Sequence, residues 1–302
     1  MNKYNDTGIF KENTKLEQTQ AINKQLKALY TAWFEHMGNK GLKGISNLDK
    51  LNGMHLLTCF DPYICQKHKI MSYGKEANSQ DGQIDVFDKD YQDDAYYTYD
   101  FAIVNPELTE KKDSYNRFYL KTRKIISGLK HNEAPSYDKI LSILNNNLNK
   151  TSFMGKYTPC SRNKKYTGKN KALYELVNEM DKIVYSEFEY NGITKNIFIH
   201  ELNILRPTHL VFLCGKGYNN HFKRDFGEKF YIKANETINK LSVKDKTISD
   251  SLTLNKQTIQ DIFGLEGYER INLIFAIHPS AHMSAGIRKT YEDKLTDFIE
   301  ES

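Results

Sequence analysis

No stretch of this 302-residue chain approaches the roughly 20 apolar residues that a bilayer span requires, which excludes a membrane-spanning helix. The first 20 residues are polar and lack an apolar segment ahead of a small-residue cleavage site, so a cytoplasmic rather than a secreted protein is expected. Cysteine is scarce. Cys59, Cys65, Cys160 and Cys214 form no CxxC pair and have no neighbouring His at zinc-finger spacing, which points to reduced thiols and to no bound metal. Cys214 closes the apolar run Leu210-Val211-Phe212-Leu213-Cys214 and reads as a small core filler. A Gly-x-Ser-x-Gly elbow is also missing, which argues against a serine hydrolase. With 20 Tyr and 16 Phe the chain is too aromatic to be disordered, and 39% hydrophobic residues supply enough material for a sizeable core.

The net charge of +5 is too small to argue for any partner, but its distribution is uneven. Residues 139–174 carry eight basic side chains and no acidic one, interleaved with Phe153, Tyr157, Tyr166 and Tyr174. Basic groups with aromatics suit phosphate contact and base stacking, and they also suit a solvated connection. Residues 81–100 carry seven Asp against Lys89 alone. That acidic segment would repel DNA if it faced a binding groove, so it either points away or contacts a protein partner.

Periodicity outlines the elements. Ile22, Leu26, Leu29, Tyr30, Trp33 and Phe34 recur at three- and four-residue steps, which predicts a helix over 16–37. Helical spacing also marks 115–129, 137–144 and 196–205, the last stopping before Pro207. Short apolar runs at 68–73, 209–214 and 272–277 predict strands, each ending near Gly or Pro. A closing helix over 284–299 has Ser284 as its N-cap. Strands alternating with helices predict an α/β protein, a three-layer α/β/α sandwich around a mainly parallel sheet. One domain is expected over 1–302, with an N-terminal helical elaboration over about 1–55. Functional groups should then gather at the carboxyl ends of the strands.

Three such ends carry chemistry. Gly74-Lys75-Glu76-Ala77-Asn78 follows the first strand, with a glycine for a turn and a carboxylate two residues on. Asn145-Asn146-Asn147-Leu148-Asn149-Lys150 follows the 137–144 helix, either as a simple turn or as a set of amides that read a base edge. His278-Pro279-Ser280-Ala281-His282-Met283-Ser284 joins a buried strand to the last helix and offers a His held by Pro.

In this order the segments resemble the uracil-DNA glycosylase superfamily, whose members carry a Gly-x-Asp/Glu motif after the first strand, an Asn-x-x-Lys motif in several branches and a His-Pro-Ser motif before an intercalating loop. Here these are Gly74-Lys75-Glu76, Asn147-Leu148-Asn149-Lys150 and His278-Pro279-Ser280. The unit from Leu205-Arg206-Pro207 into Leu213-Cys214-Gly215 is similar to the helix-strand-Gly element that precedes the His motif in that superfamily. The resemblance covers roughly residues 60–300.

The resemblance implies a metal-free, cofactor-free monomeric DNA glycosylase that releases uracil or a modified pyrimidine from DNA. Glu76 and His278 would be its catalytic residues. Glu76 would orient water and favour the cationic sugar, and His278 would hydrogen-bond the departing base. Asn147, Asn78, Phe87 and Tyr91 would bind the extruded base, the last two as an aromatic floor eleven and fifteen residues after Glu76. Lys150, Ser280, His282, Met283, Ser284 and Arg288 would contact DNA, with Met283 as the wedge that fills the gap left by the base.

Two departures qualify the expectation. Asn78 stands where the best-known branch has a Tyr that excludes the thymine methyl, which opens the pocket to a larger base. Thr151 stands where the iron-sulfur branch has a Cys, so no cluster is expected. A binding module that keeps the fold and has lost catalysis is the alternative.

Overall fold

The computed structural model describes residues 13–44, 54–76, 122, 125–126, 141–150, 171–215, 218–242, 244–278 and 283–301. Among the described residues the first element is α1 (Glu17–Asn39), then come a 3-10 turn (Leu42–Gly44), the short α2 (Asp61–Cys65) and β1 (Ile70–Glu76). After β2 (Ile143–Asn149) and α3 (Lys171–Val184), a hairpin pairs β3 (Phe188–Tyr190) with β4 (Ile193–Lys195). Then come α4 (Ile197–Leu205), β5 (His209–Leu213), α5 (Asn219–Phe226) and α6 (Glu228–Asn239). The last elements are β6 (Leu252–Asn255), α7 (Lys256–Phe263), β7 (Arg270–Ala276) and α8 (Ala285–Glu301).

The main sheet has the order β2-β1-β5-β7-β6, with the first four strands parallel and β6 antiparallel at one edge. A parallel sheet must be covered on both faces. On one face Tyr73, Phe212 and Phe275 stack across β1, β5 and β7, with ring centroids 4.9 and 5.1 Å apart. Phe198 of α4, Phe222 and Phe226 of α5 and Phe230 of α6 pack onto them. On the other face α8 brings Phe298 against His209 and Tyr291 against the Ile277 carbonyl. This is the α/β sandwich that the alternating elements predict. No helix among the described residues is long and apolar enough to cross a membrane.

Local chemistry explains the ends of several elements. Asn196 caps α4 by accepting from the Ile199 amide, and Asn255 caps α7 by accepting from Thr258. α4 stops at Arg206, in the left-handed region at φ 51°, one residue before Pro207. Ser284 Oγ accepts from the Ile287 amide at 3.5 Å, a long bond at the start of α8. The hairpin turns through Asn191 and Gly192, both at positive φ, as its two-residue turn requires.

The helix expected over 137–144 is corrected. Leu141 and Ser142 form a turn, and Ile143 and Leu144 already lie in β2, buried and paired with Ile70 and Met71. The Asn run is therefore a strand and not a helix end. Of the helix expected over 115–129, only Thr122, Ile125 and Ile126 are described, and they are helical. α1 is integral to the core: Trp33 donates to the Val184 carbonyl, and the Asn23 side chain exchanges two hydrogen bonds with the Cys59 backbone.

Candidate functional site

The chain runs from β1 to β2 on one side and returns to β5 on the other, so the order reverses between β1 and β5. Such a switch point opens a crevice beyond the carboxyl ends of the strands, where ligands of α/β proteins bind. The register says which residues meet there. Gly74 pairs with Asn147, and Glu76 with Asn149. Tyr73 pairs with Phe212, and Phe212 with Phe275, so the carboxyl ends of β1, β5 and β7 lie on the same edge, with Glu76 closing β1 and His278 two residues past β7.

The His278 end of this edge is well held. Gly215 donates its N–H to the Ala276 carbonyl at 2.9 Å and continues the contact with the last residue of β7 past the end of β5. Ile277 donates to the Thr247 carbonyl at 2.8 Å and accepts from the Tyr291 hydroxyl at 3.3 Å. His278, half-buried, follows directly.

Beneath the β2 end lies a buried polar network. Lys150 Nζ donates to Glu201 Oε1 at 2.5 Å and to Asn146 Oδ1 at 2.7 Å. Asn146 Nδ2 donates to Glu201 Oε2 at 2.8 Å, and Tyr30 donates to Oε1 at 2.9 Å. Lys150 and Glu201 are both fully buried. Burial pulls the Lys150 ammonium below its ordinary pKa, and the Glu201 carboxylate opposes that shift.

A second cluster adjoins it. Arg224 binds Asp225 through two nitrogens, Asp181 through a third contact and the Leu148 carbonyl at 2.6 Å, with its guanidinium 3.5 Å from the Tyr185 ring centroid. Burial raises the Asp225 carboxyl to about 7 although Arg224 opposes the shift.

The expected site residues separate into groups. Glu76, Asn147 and His278 come to the same sheet edge. Lys150 is corrected: it is buried against Glu201 and offers no ammonium to DNA phosphate. Met283 is corrected too, because it is 4% exposed and packs in the core, so it is not a free wedge. Ser284 is exposed at the start of α8, and Arg288 is half-buried one turn on. Asn78, Phe87, Tyr91, Ser280, His282, the acidic segment 81–100 and Cys160 lie outside the described residues.

Glu201 and Tyr30 are not among the sequence candidates, and Asn146 is one only as an amide of the Asn run. Their one signal was Glu201 itself, a carboxylate inside the apolar helix Ile197-Phe198-Ile199-His200-Glu201-Leu202, where an unpaired charge would be costly. Among the described residues no group of three or more His, Cys, Asp or Glu side chains is placed to hold a metal ion. No protein-family model matches the chain, and no curated protein matches it in sequence.

Proposed function

We propose that this chain is a DNA glycosylase that hydrolyses the N-glycosidic bond of uracil or a modified pyrimidine and leaves an abasic site. One observation carries the reading: the parallel register puts the Gly74-Lys75-Glu76 segment, the strand bearing Asn147 and the residue His278 on one carboxyl edge beside the switch point. These are the three segments that the sequence resemblance singles out, and they come from positions far apart in the chain.

The chemistry uses each of them. As the bond between C1′ and the base nitrogen breaks, positive charge builds on the sugar and negative charge on the base. The Glu76 carboxylate favours the sugar cation and orients the water whose oxygen bonds to C1′. Neutral His278 donates a hydrogen bond to a base carbonyl as charge gathers there. The base leaves with the electron pair of the broken bond, and the proton lost by water passes to the carboxylate or to solvent. Asn147 reads the base edge with one donor and one acceptor.

With Lys150 and Met283 in the core, contact with DNA falls to Ser284, Arg288, Ser280 and His282. The alternative is a binding module on the same fold. The test is incubation with oligonucleotides containing uracil and modified pyrimidines, followed by alkaline strand scission. Release by the wild type, lost in Glu76→Gln and His278→Ala while both variants stay folded, is the expected result. Binding without an abasic product on every oligonucleotide would establish the alternative.

A further inference from the structure

Among the described strands β2 lies at an edge of the sheet, and its register is not set by sequence pattern alone. Strand register is normally set by an alternation of apolar and polar residues, since a slip by one residue exchanges the two faces. After Ile143 and Leu144 the alternation thins: Leu148 is buried on the face of Leu144, but Asn145 and Asn146 put an amide on each face. Polar contacts hold the strand together with Leu148. On one face Ser72 Oγ donates to Asn145 Oδ1 at 2.9 Å. On the other, both ends of the Asn146 amide are engaged, Oδ1 by Lys150 and Nδ2 by Glu201. Lys150 is itself fixed at its backbone, its N–H donating to the Tyr185 hydroxyl at 2.8 Å and its carbonyl accepting from His55 at 2.6 Å.

We propose that Asn146, Lys150 and Glu201 form a register lock for β2 and thereby act as positioning residues for Asn147. A buried ion pair is a poor source of stability, because removing two charges from water costs about as much as their attraction returns. It is a good source of uniqueness. A slip of one residue would replace Asn146 with Asn145 or Asn147 on the Glu201 face and carry Lys150 out of reach of the carboxylate. The paired state therefore exists in one register, with Asn147 beside Gly74 and Asn149 beside Glu76. The consequence for base release rests on the glycosylase reading, whereas the lock itself does not.

The test is the triple variant Asn146→Leu/Lys150→Met/Glu201→Leu, which replaces the whole network with apolar groups of similar size. We expect a melting temperature at or above that of the wild type, with amide protection over 143–149 reduced about tenfold or more by hydrogen exchange. Base release should lose about tenfold or more in kcat with KM changed less than about twofold. Unchanged protection in that segment would overturn the lock. Reduced protection with unchanged kcat would overturn the positioning role. Should the triple variant not fold, the double variant Lys150→Met/Glu201→Gln gives the same readouts, because it removes the ion pair that ties β2 to one register and keeps an amide partner for Asn146. If the wild type releases no base from any oligonucleotide, the glycosylase reading fails, and hydrogen exchange still decides the lock.

Discussion

Asn272 donates its side-chain N–H to His209 Nε2 at 3.2 Å, joining β7 to β5 where the two residues are register partners. The direction follows from a neighbour: Thr253 Oγ1 donates to Asn272 Oδ1 at 2.9 Å and so turns the amide nitrogen toward the imidazole. Nε2 therefore accepts, and the ring proton sits on Nδ1, 2.8 Å from Thr208 Oγ1. Both nitrogens are satisfied only in the neutral ring.

A pH dependence follows. Burial, then the positive charges of His68 and Arg270, lower His209 from 6.5 to about 4. Between these values the unfolded chain binds a proton that the folded chain does not, so stability rises with pH across that window. The contribution of His209 is complete above about 6.5 and is lost as pH falls toward about 4. Melting temperatures of the wild type and of His209→Gln, measured from pH 8 to 4, should diverge in slope across that window, with the wild type falling more steeply. Parallel curves would remove His209 as the cause.

Arg224 gives a second prediction. Its guanidinium serves Asp225, Asp181, the Leu148 carbonyl and the Tyr185 face at once, a task for a planar fork that a lysine ammonium cannot copy. Arg224→Met leaves two carboxylates without their counter-charge and should cost about 3–5 kcal/mol. Arg224→Lys keeps the charge and should cost about 2 kcal/mol. Urea denaturation of both variants checks the order. An equal and small loss in each would mean that the cluster is solvated rather than structural.

These two clusters also show what a sequence discloses. β5 and β7 are legible because each is a short apolar run ended by Gly215 or Pro279, and α1 is legible because its apolar residues recur at helical steps. β2 is not, since asparagine has low strand propensity and the spacing around 137–144 suits a helix. It is a strand through its ladder with β1, and its amides meet Ser72 and Glu201, which lie 73 and 55 residues from their partners Asn145 and Asn146. Lys150 misleads for the same reason: a lysine after a polar run suggests solvent, and only the fold supplies a carboxylate 51 residues away. Glu76, Asn147 and His278 are legible as an ordered set of motifs, whereas the network holding β2 has no local pattern to read.

Gly215 offers a test of the sheet edge itself. Its φ of +68° lies in the left-handed region, and a Cβ there would stand 3.5 Å from Ile277, an ordinary contact. The obstacle to a side chain is therefore conformational and not spatial. Gly215→Ala should cost about 1–2 kcal/mol. Gly215→Asn, which tolerates that conformation better, should cost less. Thermal melts decide between strain and crowding: crowding would make the larger Asn the worse of the two.

The last prediction concerns the base edge. Gly74 is the register partner of Asn147, so in the proposed reaction the residue that reads the base sits on the strand next to the Glu76 segment. An asparagine amide donates to a carbonyl such as uracil O4 and accepts from the adjacent N–H. An ionised aspartate only accepts, repels O4, and suits the amino group of cytosine. Asn147→Asp should therefore lower single-turnover release of uracil by about tenfold or more and raise the cytosine-to-uracil ratio, since a bidentate pair contributes about 1–3 kcal/mol of discrimination. The comparison needs both oligonucleotides at one pH, well above the carboxylate range, so that the charge is constant. A fall on both bases by the same factor would assign Asn147 to the framework of the edge and leave the reading of the base to another residue.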